Sequence, residues 1–376
     1  MKKIVIHYPF IPSYRVPVFN NLSDKSDIDV LFISALDSDD ITIKCDSEFW
    51  RFRHKESELK TIRLFGRKLT IELGVLSYLI QMRGGECFYI ALSNPNIITS
   101  WLYSLLAKIL GYKVIFWGHG LLKREKGIKR LIRSIYYSIP DKHWLYGNNA
   151  VYLMEDLGVK KRKISVIYNS LNYEVQKLQR NLLKKDRKLI RQKLGYNDDD
   201  IVIICIGRLL EKLKIDVIIR AVELGRRSGL PLRLVIIGDG PIKAALQELV
   251  FSLNIDEYVT FTGALYREED IGPYYISSDI SAVAGVVGLA AMHSLAYGIP
   301  MITHNCLQEH CPEVEAIIPG YSGEFFVKDD LSSIIEAVKK VSSSSVDYFH
   351  NSINILEKYY TPKAQVEFML RSINEF

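Results

Sequence analysis

Gly285-Val-Val-Gly288-Leu-Ala-Ala-Met-His293-Ser-Leu-Ala-Tyr-Gly298-Ile-Pro300 is the stretch on which the reading of this chain turns. Glycines bracket an apolar segment of helical spacing, so a tight turn is expected to open directly into a helix. Such a turn leaves backbone N–H groups and the positive end of the helix dipole to meet an anion, typically a phosphate. The short apolar runs Ile280–Val283 and Met301–Thr303 flank it. Strand, turn, helix, strand is the repeating unit of a parallel sheet that binds ligands at its carboxyl edge.

The same alternation extends outward. Ile201–Ile206, Leu232–Ile237 and Tyr258–Phe261 read as further strands, with helices at Asp216–Arg227, Ile242–Leu253, Asp270–Ser277, Leu289–Tyr297 and Leu331–Val341. In the first half, Lys3–His7, Ile28–Ile33, Phe88–Leu92, Lys113–Trp117, His143–Tyr146 and Ser165–Tyr168 are expected strands, and Leu69–Met82 and Ile98–Leu110 expected helices. With 376 residues the chain exceeds what one core usually holds. The expected class is α/β, with two doubly wound Rossmann-like domains. They cover residues 1–175 and 201–346, separated by a charged linker over 176–200, and helices over 347–376 are expected to pack back towards the first domain.

Hydrophobic residues at 48% and charged residues at 24% are ordinary for a soluble globular protein. No apolar run reaches the roughly 18 residues of a membrane span, and Pro9 and Pro12 interrupt the opening segment too early for a signal peptide, so a cytoplasmic protein is expected. Cys45, Cys87, Cys205, Cys306 and Cys311 show no paired spacing and read as reduced thiols. His304, Cys306, His310 and Cys311 crowd together, but the adjacent His310 and Cys311 cannot easily face one metal from regular backbone, and no metal is expected there.

The net charge of +6 is unevenly placed: between Gly120 and Leu194, 19 basic residues stand against 6 acidic ones, which leaves −7 for the remainder. The runs Lys123–Arg133 and Lys160–Lys163 suit anionic lipid headgroups or a pyrophosphate, and read equally well as solvated helix faces. Nucleic acid is not an expected partner, since no binding motif accompanies the charge.

Several motifs precede the glycine-rich stretch in fixed order. Gly207-Arg208-Leu-Leu-Glu-Lys212-Leu-Lys214-Ile-Asp216 follows the first strand of the second half, Val235-Ile-Ile-Gly238-Asp-Gly240-Pro241 ends the next, and Val259-Thr-Phe-Thr-Gly263-Ala and Tyr275–Asp279 come after it. A guanidinium and an ammonium beside a leaving diphosphate neutralise the charge that develops as a glycosidic bond breaks.

In this order and spacing the second half resembles the nucleotide-sugar-binding domain of glycosyltransferase family 4, which has the GT-B fold. The family carries two glutamates in the stretch quoted first, and Gly285 and His293 occupy their places here. The resemblance implies that Arg208 and Lys214 act on the diphosphate, with Lys212 beside them, and that Gly240 and Leu265 belong to the donor site. It implies donor contacts from Gly285, Val286, Val287, Gly288 and Leu289, those of Gly285 being made through backbone N–H groups. His293 takes the place of the glutamate that binds ribose, and an imidazole can both donate and accept there.

The first half matches less densely. Tyr8-Pro9-Phe10-Ile11-Pro12-Ser13-Tyr14-Arg15 stands where relatives have a loop facing the acceptor, so Pro12, Tyr14 and Arg15 are candidate acceptor residues. Phe116-Trp117-Gly118-His119-Gly120 ends a strand, and His119 stands where the family has a histidine that meets the transferred sugar. Val166-Ile-Tyr-Asn169-Ser resembles the family's turn near the end of the first domain.

The resemblance thus implies a glycosyltransferase using a UDP- or GDP-sugar, with retention, in bacterial surface polysaccharide or glycolipid synthesis. The acceptor would be lipid-linked or an oligosaccharide, at an anionic membrane surface. No cofactor is expected beyond the sugar nucleotide, and no metal. The Asp-x-Asp spacings at Asp27–Asp29, Asp37–Asp39 and Asp198–Asp200 lie outside the donor motifs and read as solvated acids. A noncatalytic nucleotide-sugar-binding subunit and a sugar-nucleotide epimerase share the architecture and stay as alternatives.

Overall fold

The computed structural model describes residues 1–36, 47–64 and 67–376. Cys45 and the Asp37–Asp39 pair lie outside the described residues. The chain forms two compact units: Met1–Ser170 with Pro362–Phe376, and Leu171–Thr361. Both are α/β units built on a parallel sheet.

In the first unit, strands β1 (Lys2–Phe10), β2 (Ile28–Ala35), β3 (His54–Glu56), β6 (Cys87–Leu92), β7 (Lys113–Gly118), β8 (Lys142–Leu145) and β9 (Ile164–Val166) lie in the order β3-β2-β1-β6-β7-β8-β9. Its helices are α1 (Val16–Ser23), α2 (Val75–Met82), α3 (Ile98–Ile109), α4 (Gly127–Ser138) and α5 (Asn149–Asp156). Alternate residues of one strand serve opposite faces: Ile4 and Ile6 pack into one core, Val5 into the other. Burial on both faces explains the near-continuous apolar runs of these strands.

The segment Leu69–Met82 departs from the single helix expected of it. Its first part is strand β5 (Arg67–Leu73), antiparallel to β4 (Glu58–Leu64), and only Val75–Met82 is helical. Leu69, Ile71 and Leu73 alternate with Thr70 and Glu72, which is strand spacing, and Gly74 at φ +93° ends the run. Glu72 is buried, its carboxylate 2.5 Å from His7 Nε2, and His7 Nδ1 lies 2.7 Å from the Tyr89 hydroxyl. This buried polar contact holds the hairpin on the sheet.

The second unit has strands β10 (Ile201–Ile206), β11 (Leu232–Ile237), β12 (Val259–Gly263), β13 (Ile280–Val283), β14 (Met301–His304) and β15 (Gly323–Phe326), in the order β12-β11-β10-β13-β14-β15. The period of two recurs: Ile203 and Cys205 face one core, Val202 and Ile204 the other. Helices α8 (Ile215–Arg227), α9 (Lys243–Ser252), α10 (Glu268–Ser277), α11 (Ala290–Ala296) and α12 (Leu331–Ser342) connect the strands. α8 buries Ile215, Ile218, Ile219 and Val222 and leaves Arg220 exposed, an apolar stripe at helical period. β15 lacks the β-branched run by which the other strands are recognised in the sequence.

Residues 176–200 are largely helical, in α6 (Tyr173–Leu183) and α7 (Arg187–Lys193), and both helices belong to the second unit. Arg191 is buried and bonds Ser277 O at 2.8 Å and Asp279 Oδ2 at 3.1 Å, so the charge of this segment serves packing. Of the last two helices, α13 (Tyr348–Tyr359) lies in the second unit and α14 (Pro362–Asn374) in the first. α14 is held there by hydrogen bonds from Trp144 Nε1 to Ser372 Oγ (2.9 Å) and from Lys142 Nζ to Ser372 O (2.8 Å).

Candidate functional site

The strand order of the second unit reverses between β10 and β13, which places the loops after these strands at a switch point. The loop after β10 also meets the one after β11, backbone against backbone. Gly207 N–H donates to Ile237 O at 3.0 Å and Leu209 N–H to Asp239 O at 2.9 Å. A Cβ on Gly238 would stand 1.9 Å from Gly207 O, and one on Gly240 2.4 Å from Leu209 O. These glycines are required by close approach of the two turns.

The loop after β13 closes on the same segment. Gly285 N–H donates to Leu213 O at 3.0 Å and Val286 N–H to Lys212 O at 2.9 Å, while Val287 N–H donates to His310 Nδ1 at 3.1 Å. The N–H groups that the sequence assigned to a ligand at Gly285 and its two successors are therefore engaged within the protein. Their work is to fix the loop Arg208–Lys214. Gly288 and Leu289 follow at the open start of α11, and their N–H groups donate no such loop-to-loop bond among the described residues.

Arg208, Lys212 and Lys214 are all exposed, and among the described residues none of them pairs with a carboxylate. Lys214 sits in the left-handed region at φ +53°, which turns the loop into α8. Leu265 is partly buried against the core that contains Tyr275 and Tyr297. Three cations without counter-ions, on a loop held by a neighbouring loop's backbone, form a preset electropositive edge suited to a diphosphate.

His293 is half-buried in α11, and Tyr275 stacks on its ring with centroids 5.0 Å apart. Its Nε2 lies 3.1 Å from Glu268 Oε2, and the same oxygen accepts from Tyr297 OH at 2.9 Å. Gln176 Nε2 donates to the other Glu268 oxygen at 3.2 Å. Burial by itself would raise the Glu268 carboxyl, but the bonds from His293, Tyr297 and Gln176 outweigh it and hold the group below the usual glutamate value. An ionised Glu268 accepts the hydrogen on Nε2, and in that tautomer Nδ1 is left as an acceptor. Glu268 escapes a sequence reading because Glu268-Glu-Asp270 looks like ordinary acidic residues in the first turn of a helix. Only the fold brings it to His293, 25 positions away.

His304 and His310, crowded with Cys306 and Cys311 in the sequence, have structural partners. His310 accepts from Val287 N–H through Nδ1, its Nε2 lies 2.9 Å from His304 O, and His304 Nδ1 accepts from Cys306 N–H at 3.2 Å.

In the first unit, Tyr14, Arg15 and His119 gather about Tyr146, a residue the motifs did not single out. His119 is exposed beyond the end of β7, its ring 4.8 Å from that of Tyr146, edge to face. Gly120, at φ +65°, turns the chain beneath it. Arg15 is buried, with Nη2 donating to Tyr146 OH at 2.6 Å, while Pro12 and Tyr14 remain partly exposed.

Residues 186–356 match the family described as glycosyl transferases group 1. Among curated relatives, alpha-monoglucosyldiacylglycerol synthase of Streptococcus pneumoniae is 29% identical over 189 residues, which is 49% of this chain and 42% of that protein. GDP-mannose-dependent alpha-(1-6)-phosphatidylinositol monomannoside mannosyltransferase of Mycolicibacterium smegmatis is 27% identical over 162 residues, 40% of this chain and 41% of the relative. The chain thus spans less than half the length of these relatives. The solved structure of Anabaena HepE with UDP-glucose has a TM-score of 0.70 at 14% identity, covering 100% of both chains. The lipopolysaccharide outer core galactosyltransferase WaaB also has a TM-score of 0.70, at 16% identity and 99% coverage of each chain. The fold is that of a GT-B glycosyltransferase.

Proposed function

We propose that this chain transfers a sugar from a UDP- or GDP-sugar to a lipid-linked or glycan acceptor, with retention, in the synthesis of a bacterial surface polysaccharide or glycolipid. The observation that carries the reading is the trio Arg208, Lys212 and Lys214, exposed and, among the described residues, without carboxylate partners, on a loop locked by Gly285 and Val286. Arg208 and the lysines would hold the donor diphosphate and neutralise it as it leaves. HepE was solved with UDP-glucose and the mycobacterial relative is named for GDP-mannose, which supports a nucleoside-diphosphate sugar as donor. Two of the relatives are named for lipid acceptors, which supports a lipid-linked acceptor. Calorimetric titration with UDP, GDP and their sugars tests the reading, which fails if no nucleotide sugar binds.

His293 takes the ribose in this reading, with Glu268 holding its tautomer. His293→Ala is expected to lose about 1–3 kcal/mol of donor affinity, the scale of a lost buried polar partner. Glu268→Gln keeps the shape but frees the imidazole tautomer, and is expected to weaken donor binding by a smaller factor. Unchanged affinity in both variants removes the ribose role.

The first unit also carries a surface suited to a membrane. Ile98, Leu102, Leu105 and Ile109 of α3 are exposed, as are Ile128, Leu131, Ile132 and Ile135 of α4, each set at helical spacing. The two helices touch through Trp101 and Tyr136, ring centroids 4.8 Å apart, and Lys123, Arg124 and Lys126 lie exposed just before α4. Apolar stripes beside basic residues suit an anionic bilayer surface. Sedimentation with anionic vesicles is expected to show binding that falls steeply with salt and is weakened by Leu131→Glu. Equal binding to neutral and anionic vesicles, or none to either, counts against it.

A further inference from the structure

Arg15 is the one arginine of the first unit whose guanidinium is wholly enclosed among the described residues, at 1% exposure. Among the described residues it has no carboxylate partner. Its Cζ lies 4.9 Å from the ring centroid of Tyr146 and 5.0 Å from those of Tyr14 and Trp117, so aromatic faces bound it on three sides. Among the described residues Nη2 donates to Tyr146 OH and the Tyr8 hydroxyl also bears on the guanidinium, while Nε and Nη1 have no acceptor in hydrogen-bond geometry. Trp117, at the end of β7 and fully buried, also has its Nε1 donor unmatched.

Buried donors without acceptors are rare, and a buried charge is ordinarily paired. Burial works against the Arg15 charge and the hydroxyl dipoles of Tyr146, Tyr8 and Tyr14 work for it, and a guanidinium in either case keeps its proton. The cluster therefore holds one positive charge and three donor nitrogens without acceptors among the described residues. Such a set is complementary to an oxyanion, which brings negative charge and only acceptors, and the Nη2 hydrogen not given to Tyr146, with that of its neighbour Nη1 or Nε, makes a planar fork that fits two of its oxygens at once.

We propose that Arg15 and Trp117, with Tyr146 holding the guanidinium, form an oxyanion-binding site that takes the phosphate or diphosphate of the acceptor. The word acceptor rests on the transferase reading above; anion binding by the first unit does not. His119, whose ring meets that of Tyr146 edge to face, stands beside this site. A phosphorylated acceptor would thus be anchored by its charge next to the residue that the motifs assign to the transferred sugar.

The test is calorimetric titration of the full chain with inorganic pyrophosphate in an Arg208→Ala background, which removes the strongest competing cation of the second unit. Binding is expected to persist there, to weaken at least tenfold on adding Arg15→Met, and to weaken about threefold on adding Trp117→Phe, which removes the Nε1 donor but keeps an aromatic face. Arg15→Met in the otherwise native chain is expected to melt at or above the native temperature, because an unpaired buried charge is removed, and to bind UDP as the native chain does. No pyrophosphate binding in the Arg208→Ala background overturns the proposal, as does unchanged affinity with a lowered melting temperature in Arg15→Met, the mark of a packing residue. Loss of UDP affinity in Arg15→Met in step with that for pyrophosphate overturns the acceptor assignment. Should Arg15→Met fail to fold, Arg15→Lys decides: it keeps the charge but not the fork, and native pyrophosphate affinity in that variant overturns the proposal. Absence of transferase activity alongside retained pyrophosphate binding would defeat the transferase reading and leave this site standing.

Discussion

Gly285→Ala is expected to destabilise the second unit by about 3 kcal/mol or more, the upper end of what overpacking usually costs. The added methyl group would stand 2.0 Å from Lys212 O and 2.7 Å from Leu213 C, and both are backbone atoms that cannot rotate away. Relief requires the loop Arg208–Lys214 to part from the loop after β13, breaking the bonds from Gly285 N–H to Leu213 O and from Val286 N–H to Lys212 O. The same displacement moves the cations. Gly285→Glu, which would put a carboxylate where the resemblance to family 4 has one, is therefore expected to impair donor binding rather than improve it. Gly288→Ala is the control, since its nearest neighbour is Cys311 Sγ at 3.9 Å and a methyl group fits. Urea unfolding of the three variants measures the difference. A Gly285→Ala midpoint indistinguishable from that of the native chain would show that the loops are not locked as described.

Arg208→Ala is expected to reduce turnover by a factor on the order of 100–1000, about 2.7–4 kcal/mol of transition-state stabilisation, the range for removing one preset charge-stabilising donor. Stability should hardly change, because Arg208 is exposed and has no hydrogen-bond partner among the described residues to lose. Arg208→Lys should recover part of the loss, since it keeps the charge without the planar fork. The contrast between the two leading predictions is itself informative: one residue holds the loop and the other uses it. Steady-state kinetics with nucleotide sugar decides the second, and a folded Arg208→Ala within about threefold of native turnover would remove the diphosphate role.

Much of the second unit is legible in the amino-acid sequence. Ile201–Ile206, Leu232–Ile237 and Ile280–Val283 are strands over the residues expected, because a strand buried on both faces needs an apolar side chain at nearly every position. The turn glycines are legible as turns, and Arg208 as a charged residue beyond a strand. Less can be read where two patterns compete over few residues. Leu69–Met82 carries apolar spacing compatible with a helix, yet its first part alternates as a strand and pairs with β4. The charged segment over 176–200 reads as a linker because its arginines look solvated, whereas Arg191 is buried against Ser277 and Asp279.

The sequence by itself determined two α/β units, most strands of their parallel sheets though not β3 or β15, and the loops on which function was to be sought. Tertiary structure alone decided what those loops contain. It set Gly285 against Lys212 O, where no side chain fits, it placed Glu268 on His293, and it enclosed Arg15 with Trp117 and Tyr146. The physical reason is range. Burial and periodicity act between near neighbours and leave their mark in local composition. Close backbone contacts and the pairing of a buried charge join residues tens of positions apart, and no local pattern records them.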